Sequence, residues 1–243
     1  MMPRHADPAE EVERASAPSA WKTLRVAVLA SGNGSNLQAI LDRIASGHIA
    51  ARITLVVSDK PEALVLQRAR KASVAAVVAL APEEGEKRAA YDARLLELLD
   101  REKPDLIVLA GYMRIVGQSI IDRFAGRIIN IHPSLLPAFK GLHAVQQALA
   151  AGVAEAGCTT HLVTGDLDGG PILLQAGLKL HAGEALETLQ HRILRLEHLV
   201  LPRTVQLFAE GRIGRDGRIA PGPSWKGKAD LDFVSGAWYS EGF

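Results

Sequence analysis

Short apolar runs alternate with amphipathic stretches through the first half of this chain, and that rhythm permits few folds. Residues 24–30 (LRVAVLA), 52–57 (RITLVV), 74–80 (VAAVVAL), 105–110 (DLIVLA) and 127–131 (RIINI) have strand length and little polar content. A strand covered on both faces reads as such a run, because neither face meets water. Residues 36–44, 65–72, 84–102 and 115–124 lie between them with apolar residues at helical spacing. Pro104 closes the third of these, since the residue before a proline is pushed out of the helical region. Strands alternating with helices predict an α/β fold with a mostly parallel sheet and helices on both faces. Ligands of such sheets collect beyond the carboxyl ends of the strands. Segments 32–36 and 130–137 both fall at such ends, so they are predicted to face one crevice.

The second half changes character. Residues 159–163 and 172–180 read as strands with no long helix between them, which predicts at least one antiparallel pair. Residues 184–209 read as a long helix with Leu186, Leu189, Ile193, Leu196, Val200 and Leu207 along its apolar stripe, interrupted at Pro202. The chain divides into a flexible polar tail (1–22), one domain (23–212) and a polar extension (213–243).

Composition narrows the partners. The chain has 243 residues, 48% of them hydrophobic, enough for one domain with a substantial core. With 28 basic and 27 acidic residues, the formal net charge is +1. That balance argues against nucleic acid and for a small-molecule partner. No apolar run approaches the roughly 20 residues of a membrane span. The first residues lack a secretory core and carry Asp7, Glu10, Glu11 and Glu13, unlike a transit peptide. A cytoplasmic protein is expected. Cys158 is the one cysteine, so no disulfide forms within the chain, and it reads as a small buried residue.

Three segments carry chemistry. SGNGSN (31–36) joins a strand to a helix. Its glycines bring backbone N–H groups close to a ligand, and the helix start adds a positive dipole end, which together suit a phosphate. The dinucleotide pattern fails, because its third glycine would fall at Leu37, and no P-loop is present. The plainer alternative is a strand-to-helix turn with Asn36 as N-cap. NIHPSLLP (130–137) places Asn130 and His132 on one face of a strand end. An amide donor beside a group that passes protons near neutral pH can stabilise an oxyanion and move a proton in acyl transfer. A histidine satisfied structurally is the alternative. GDLDGGP (165–171) offers Asp168, with Asp166 as a competitor and a self-bonded turn as the plainer role. Neither HExxH nor GxSxG occurs, so no metal is expected, and a zinc enzyme or serine hydrolase is disfavoured.

Taken in order, SGNGSNLQAI, AGYMRI (110–115), NIHPSLLP and LDGGPI (167–172) resemble the folate-dependent glycinamide ribonucleotide formyltransferases over roughly residues 24–211. The resemblance implies a Rossmann-like formyltransferase fold of about seven strands. It implies transfer of a formyl group from N10-formyltetrahydrofolate, as co-substrate, to the amine of glycinamide ribonucleotide in purine synthesis. Residue by residue, it implies that Gly34, Ser35 and Asn36 bind the phosphate and Glu197 the ribose hydroxyls. It assigns folate contacts to Arg88, Met113, Arg114, Ile115, Val116 and Asn130 and to the loop Thr164, Gly165, Asp166, Leu167 and Asp168. Asn130 contacts the formyl group, His132 donates a proton, and Asp168 raises the His132 pKa. Without the family, Arg88 and Glu197 read as surface charges and Met113 as core. Leu194 and Gly165 depart from the pattern where a polar ligand and an acid are expected. The implied reaction is direct attack with no covalent enzyme intermediate, in a monomer or homodimer. Two other readings share these residues: a formyltetrahydrofolate deformylase, for which the segment before residue 24 is too short to hold the usual extra domain, and a non-catalytic nucleotide-binding module. A methionyl-tRNA formyltransferase would need an added domain and a basic surface.

Overall fold

The computed structural model describes residues 23–221 and 237–240. The tail at 1–22 lies outside the described residues, as do 222–236 and 241–243. Among the described residues eight strands form one sheet in the order β3-β2-β1-β4-β5-β6-β7-β8. Strands β1 (Leu24–Leu29), β2 (Ala51–Ser58), β3 (Ala76–Ala79), β4 (Leu106–Leu109) and β5 (Ile128–His132) pair in parallel. Strands β6 (Glu155–Leu162), β7 (Ile172–Lys179) and β8 (Ala237–Tyr239) continue the sheet antiparallel. The helices are α1 (Ser35–Ala45), α2 (Leu64–Lys71), α3 (Arg88–Glu102), α4 (Gln118–Arg123), α5 (Ala144–Ala150) and α6 (Leu186–Ala209).

Strand alternation sorts the core into two layers. Val26 and Val28 of β1 face one side, with Leu37 and Ile40 of α1 and the buried stripe of α6. Ala27 and Leu29 face the other, with Tyr91, Leu95 and Leu99 of α3 and Ile120 of α4. Both faces of the parallel strands are therefore dry, as their composition requires.

Several elements differ from the sequence reading. Helix α3 begins at Arg88 rather than residue 84, because Glu83 to Glu86 close a turn in which the Glu83 N–H donates to the Glu86 carboxylate. Helix α4 begins at Gln118 rather than 115, because residues 111–116 are pinned between β1 and α3. Helix α5 has no counterpart in the reading. Helix α6 runs unbroken through Pro202, although proline deletes one ladder hydrogen bond. Fully buried Leu196 and Val200 before it, and Val205 and Leu207 after it, clamp both halves to the sheet. An eighth strand comes from the segment read as a polar extension. Trp238 of β8 donates its indole N–H to Glu155, and its ring lies where Gly177 has no side chain.

One polar chain crosses this dry layer. The Leu174 N–H donates to Thr160 Oγ1 (3.2 Å), whose hydroxyl meets Thr204 Oγ1 (2.8 Å), and the Thr204 hydroxyl donates to the Val200 carbonyl (2.9 Å). Both threonines are fully buried. Thr204→Val keeps the shape and leaves the buried Thr160 hydroxyl only its long 3.4 Å contact to the Leu174 carbonyl, so a loss of about 1 kcal/mol in urea unfolding is expected; an unchanged midpoint contradicts this role for the pair.

Candidate active site

The strand order reverses between β1 and β4. Their following loops part there and open a crevice at the carboxyl edge of the sheet. Residues 31–36 leave β1 on one side of it, residues 110–117 leave β4 on the other, and β5 ends in Asn130 and His132 one strand further on.

Asn130 and His161 are direct partners across the β5–β6 ladder. The Asn130 amide nitrogen lies 3.1 Å from His161 Nε2 and donates to Asp168 Oδ1 in a long contact of 3.5 Å. The His161 Nδ1 faces the Leu162 carbonyl at 2.9 Å and therefore carries a hydrogen. His132 is 6% exposed. Its Nε2 lies 2.8 Å from the Phe139 carbonyl, which can only accept, so Nε2 carries a hydrogen as well. Its Nδ1 faces Asp168 Oδ2 at 3.5 Å.

Asp168 is the centre of the group. Its backbone is left-handed (φ 46°), a conformation aspartate tolerates. The Gly169 N–H donates to the Asp166 carbonyl, so Asp166 closes the turn while Asp168 turns inward. A Cβ on Gly170 would lie 1.9 Å from the Leu162 carbonyl, so only glycine fits beneath this turn. The Gly141 N–H donates to Asp168 Oδ2 at 2.8 Å, and His161 Nε2 stands 3.5 Å from Oδ1. Burial alone would raise this carboxyl. The His161 and Gly141 contacts and the charge of His132 outweigh burial and hold it down to about 2.

The loop after β1 is built for close approach. Gly34 has φ 77°, and a Cβ there would meet Val65 at 2.7 Å. Gly34, not Asn36, occupies the N-cap position of α1. Asn36 is buried, and its amide donates across the core to Glu197 Oε2 at 2.7 Å. Burial pushes the Glu197 carboxyl up to about 7, a rise that the Asn36 hydrogen bond only moderates. The Asn36 Oδ1 and the His198 Nε2 are buried with no hydrogen-bond partner among the described residues. Arg68 grips the loop from outside, donating to the Asn33 carbonyl and side chain at 2.9 and 3.0 Å. A groove of about 420 Å³ opens beside the loop, lined in part by Ser35, Gln38, Arg68 and His198. Leu194 stands half-buried on α6, one turn before His198.

The loop after β4 alternates inward and outward. Tyr112 and Val116 are buried, and the Tyr112 hydroxyl shares a 2.9 Å hydrogen bond with that of Tyr91. The Arg114 guanidinium lies 3.9 Å over the Tyr91 ring. Met113 and Ile115 are each 59% exposed, so Met113 is not core. Arg88 donates to the Val116 carbonyl at 3.2 Å. Leu142 and Leu167 add further exposed apolar surface from the loops that flank Asp168. Thr164 is half-buried, and Gly165, Asp166 and Leu167 are exposed.

These parts match known proteins. The family model described as formyl transferase matches residues 24–205. Phosphoribosylglycinamide formyltransferase of Escherichia coli (strain K12) is 43% identical over 190 residues, 78% of this chain and 89% of that protein. The chain belongs to the formyl transferase family. The crystal structure of glycinamide ribonucleotide transformylase 1 from Symbiobacterium toebii has 46% identity and a TM-score of 0.79, covering 84% of this chain and all of that one. A formyltetrahydrofolate deformylase from Pseudomonas syringae pv. tomato is more distant, at 28% identity and a TM-score of 0.75, and the match covers 82% of this chain and 67% of that one.

In this formyl transferase, Asn130, His132 and Asp168 converge, Asn36 meets Glu197, and Arg88 meets Val116. Among the described residues no direct hydrogen bond or ion pair joins the first group to the second; two strand spacings, roughly 10 Å, separate β1 from β5. His161 was missed by the sequence reading. Its signal was strand alternation, which puts His161 and Thr159 of β6 on one face, but only the β5–β6 register shows which residue they oppose. The Phe139 carbonyl and Gly141 N–H were missed too, since backbone groups leave no mark in composition.

The raised Glu197 carboxyl has a consequence for stability. A proton held more tightly in the folded state favours folding at low pH. That contribution is complete below about 4.5 and is lost as pH rises through about 7. Glu197→Gln removes the titration. Its stability relative to wild type is expected to improve between about pH 5 and about pH 8 in urea unfolding; a constant difference contradicts a raised carboxyl.

Proposed function

We propose that this chain transfers the formyl group of N10-formyltetrahydrofolate to the primary amine of glycinamide ribonucleotide. The observation that carries the reading is the ionised Asp168 carboxylate beside His132 Nδ1, with Asn130 on the same strand end. Family membership supports it, as does the activity for which the relatives at 43% and 46% identity are named. Residues 23–212 hold the catalytic domain, and reaction between small soluble molecules fits a cytoplasmic location.

The geometry suggests how the step runs. His132 Nε2–H is tethered to the Phe139 carbonyl, so the proton that can move sits on Nδ1. The Asp168 carboxylate, 3.5 Å from Nδ1, fixes the plane of the ring. The ribonucleotide amine attacks the formyl carbon and an oxyanion forms. His132 Nδ1–H stabilises it, together with the Asn130 hydrogen that otherwise rests in the long contact to Asp168. The amine then loses a proton, folate N10 gains one, the C–N10 bond breaks, and tetrahydrofolate leaves. Both substrates are held at once, so no acyl-enzyme is needed.

In this reading Gly34, Ser35 and Asn36 hold the phosphate at the N-terminus of α1, and Glu197 accepts from the ribose hydroxyls. The roughly two strand spacings to Asn130 are bridged by the ribose and its glycinamide arm. Met113, Ile115 and Leu167 offer the apolar walls that a folate ring system requires. Arg88 and Arg114 supply charge at the outer end of the same segment, and Val116 and the 164–168 loop close its sides.

One assay separates the readings: formyltetrahydrofolate supplied with and without glycinamide ribonucleotide. Tetrahydrofolate release only with the ribonucleotide is expected. Release without it indicates a hydrolase, and no release indicates a binding module. His132→Ala and Asp168→Asn are each expected to lower kcat by about 10²- to 10⁴-fold; wild-type turnover in purified Asp168→Asn sinks the role given to that carboxylate. Gly34→Val is expected to raise KM for the ribonucleotide more than for the folate, and equal effects contradict the phosphate assignment.

A further inference from the structure

Ser31 stands where three loops meet, and nothing in the proposed chemistry uses it. It is 5% exposed, at the second position after β1. Its backbone N–H donates to the Gly111 carbonyl at 3.0 Å. Its Oγ accepts the Met113 N–H at 2.8 Å. With that lone pair engaged, its own hydrogen goes to Asp59 Oδ1 at 2.5 Å, the length of a charge-assisted bond. Asp59 is half-buried and follows the end of β2. One serine thus ties the loop after β1 to the loop after β4 by two hydrogen bonds, across the point where the strand order reverses, and a carboxylate from β2 fixes its hydroxyl.

We infer that Ser31 and Asp59 form a positioning pair that sets the distance between the two substrates. The inference rests on the proposed function, in which the β1 loop holds the ribonucleotide and the β4 loop holds the folate. Each substrate is bound by its own loop, so binding of either alone does not need the tie. The reacting atoms, however, sit one on each side. Their separation depends on how the loops stand relative to each other, and Ser31 is the side chain that spans them. An error of about 1 Å at the reacting atoms costs on the order of a hundredfold in rate. The expected signature is therefore a fall in kcat with little change in either KM.

The pair also has a definite chemistry. Asp59 acts here as an acceptor for one hydroxyl, not as a charge facing substrate. An amide oxygen can take the same hydrogen, so Asp59→Asn is expected to keep the clamp and Asp59→Ala to release it.

The test is steady-state kinetics of full-length wild type, Ser31→Ala, Asp59→Ala and Asp59→Asn, with glycinamide ribonucleotide and formyltetrahydrofolate varied in turn. Dissociation constants for the ribonucleotide alone and for tetrahydrofolate alone accompany it. Ser31→Ala and Asp59→Ala are expected to lower kcat about 10- to 100-fold while each dissociation constant stays within about threefold. Asp59→Asn is expected to recover most of the loss. A merely structural role would lower the melting temperature and leave kcat of the folded protein unchanged. The inference is overturned if kcat in both alanine variants stays within about twofold of wild type, if the loss appears only in one KM, or if Asp59→Asn is as impaired as Asp59→Ala. Should Ser31→Ala fail to fold, Asp59→Ala at its half-exposed position carries the test. Absence of transfer by wild type itself overturns the underlying reading along with the inference, an outcome distinct from active wild type with indifferent variants.

Discussion

A parallel sheet buried on both faces offers a ligand only its carboxyl edge. That restriction governs the rest of this molecule. Leu29, Leu109 and Ile131 lie in dry layers, so polar side chains that could meet a ligand gather where the strands stop. The parallel strands β1, β4 and β5 end in loops on one rim, and the loop after the antiparallel β6 reaches it through Asp168. The reversal of order between β1 and β4 parts two of those loops and makes the crevice. A single serine then holds their relation, because two residues past the end of β1 it still lies beside the loops after β2 and β4.

Within that rim a second constraint is electrostatic. A carboxylate removed from water is costly unless hydrogen bonds and opposite charge replace the solvent. Asp168 has that replacement from a backbone N–H, an amide and two imidazoles. The left-handed turn at residue 168 and the bare glycine at 170 bring the carboxylate in. Glu197 is the contrasting case. It is more deeply buried and has one amide donor from Asn36, so burial prevails and the carboxyl moves up rather than down. The two acids thus shift in opposite directions because they differ both in burial and in the number of their partners.

Much of this could be read from the chain. The apolar runs announced the parallel strands, and period-two alternation placed Asn130 and His132 on one face. The glycines of SGNGSN pointed to a tight turn at a helix start. The errors have particular causes. The sequence pattern starts helix α4 three residues early because Ile115 and Val116 fit a helical stripe, whereas Arg88 and the Ser31 tie hold that segment as an irregular loop. Asn36 was considered as a cap because caps are commonly asparagine, but its partner is 161 residues away. The break assigned at Pro202 gave too little weight to packing, which holds both halves of α6 in line. Helix α5 is too short and too weakly patterned to announce itself.

The sequence by itself determined the class of fold, the family, and the residue types available at the rim, because burial period and glycine placement are local properties of the chain. It could not determine which polar groups would meet. His161 opposite Asn130, Glu197 beneath Asn36, and Asp59 against Ser31 are each set by register or by the crossing of distant elements. Those pairings depend on how layers dock, and no residue's own pattern records its partner. Tertiary structure alone decided that Asp168 rather than Asp166 turns inward, since the turn closed by the Asp166 carbonyl leaves only one of the two carboxylates facing the histidines.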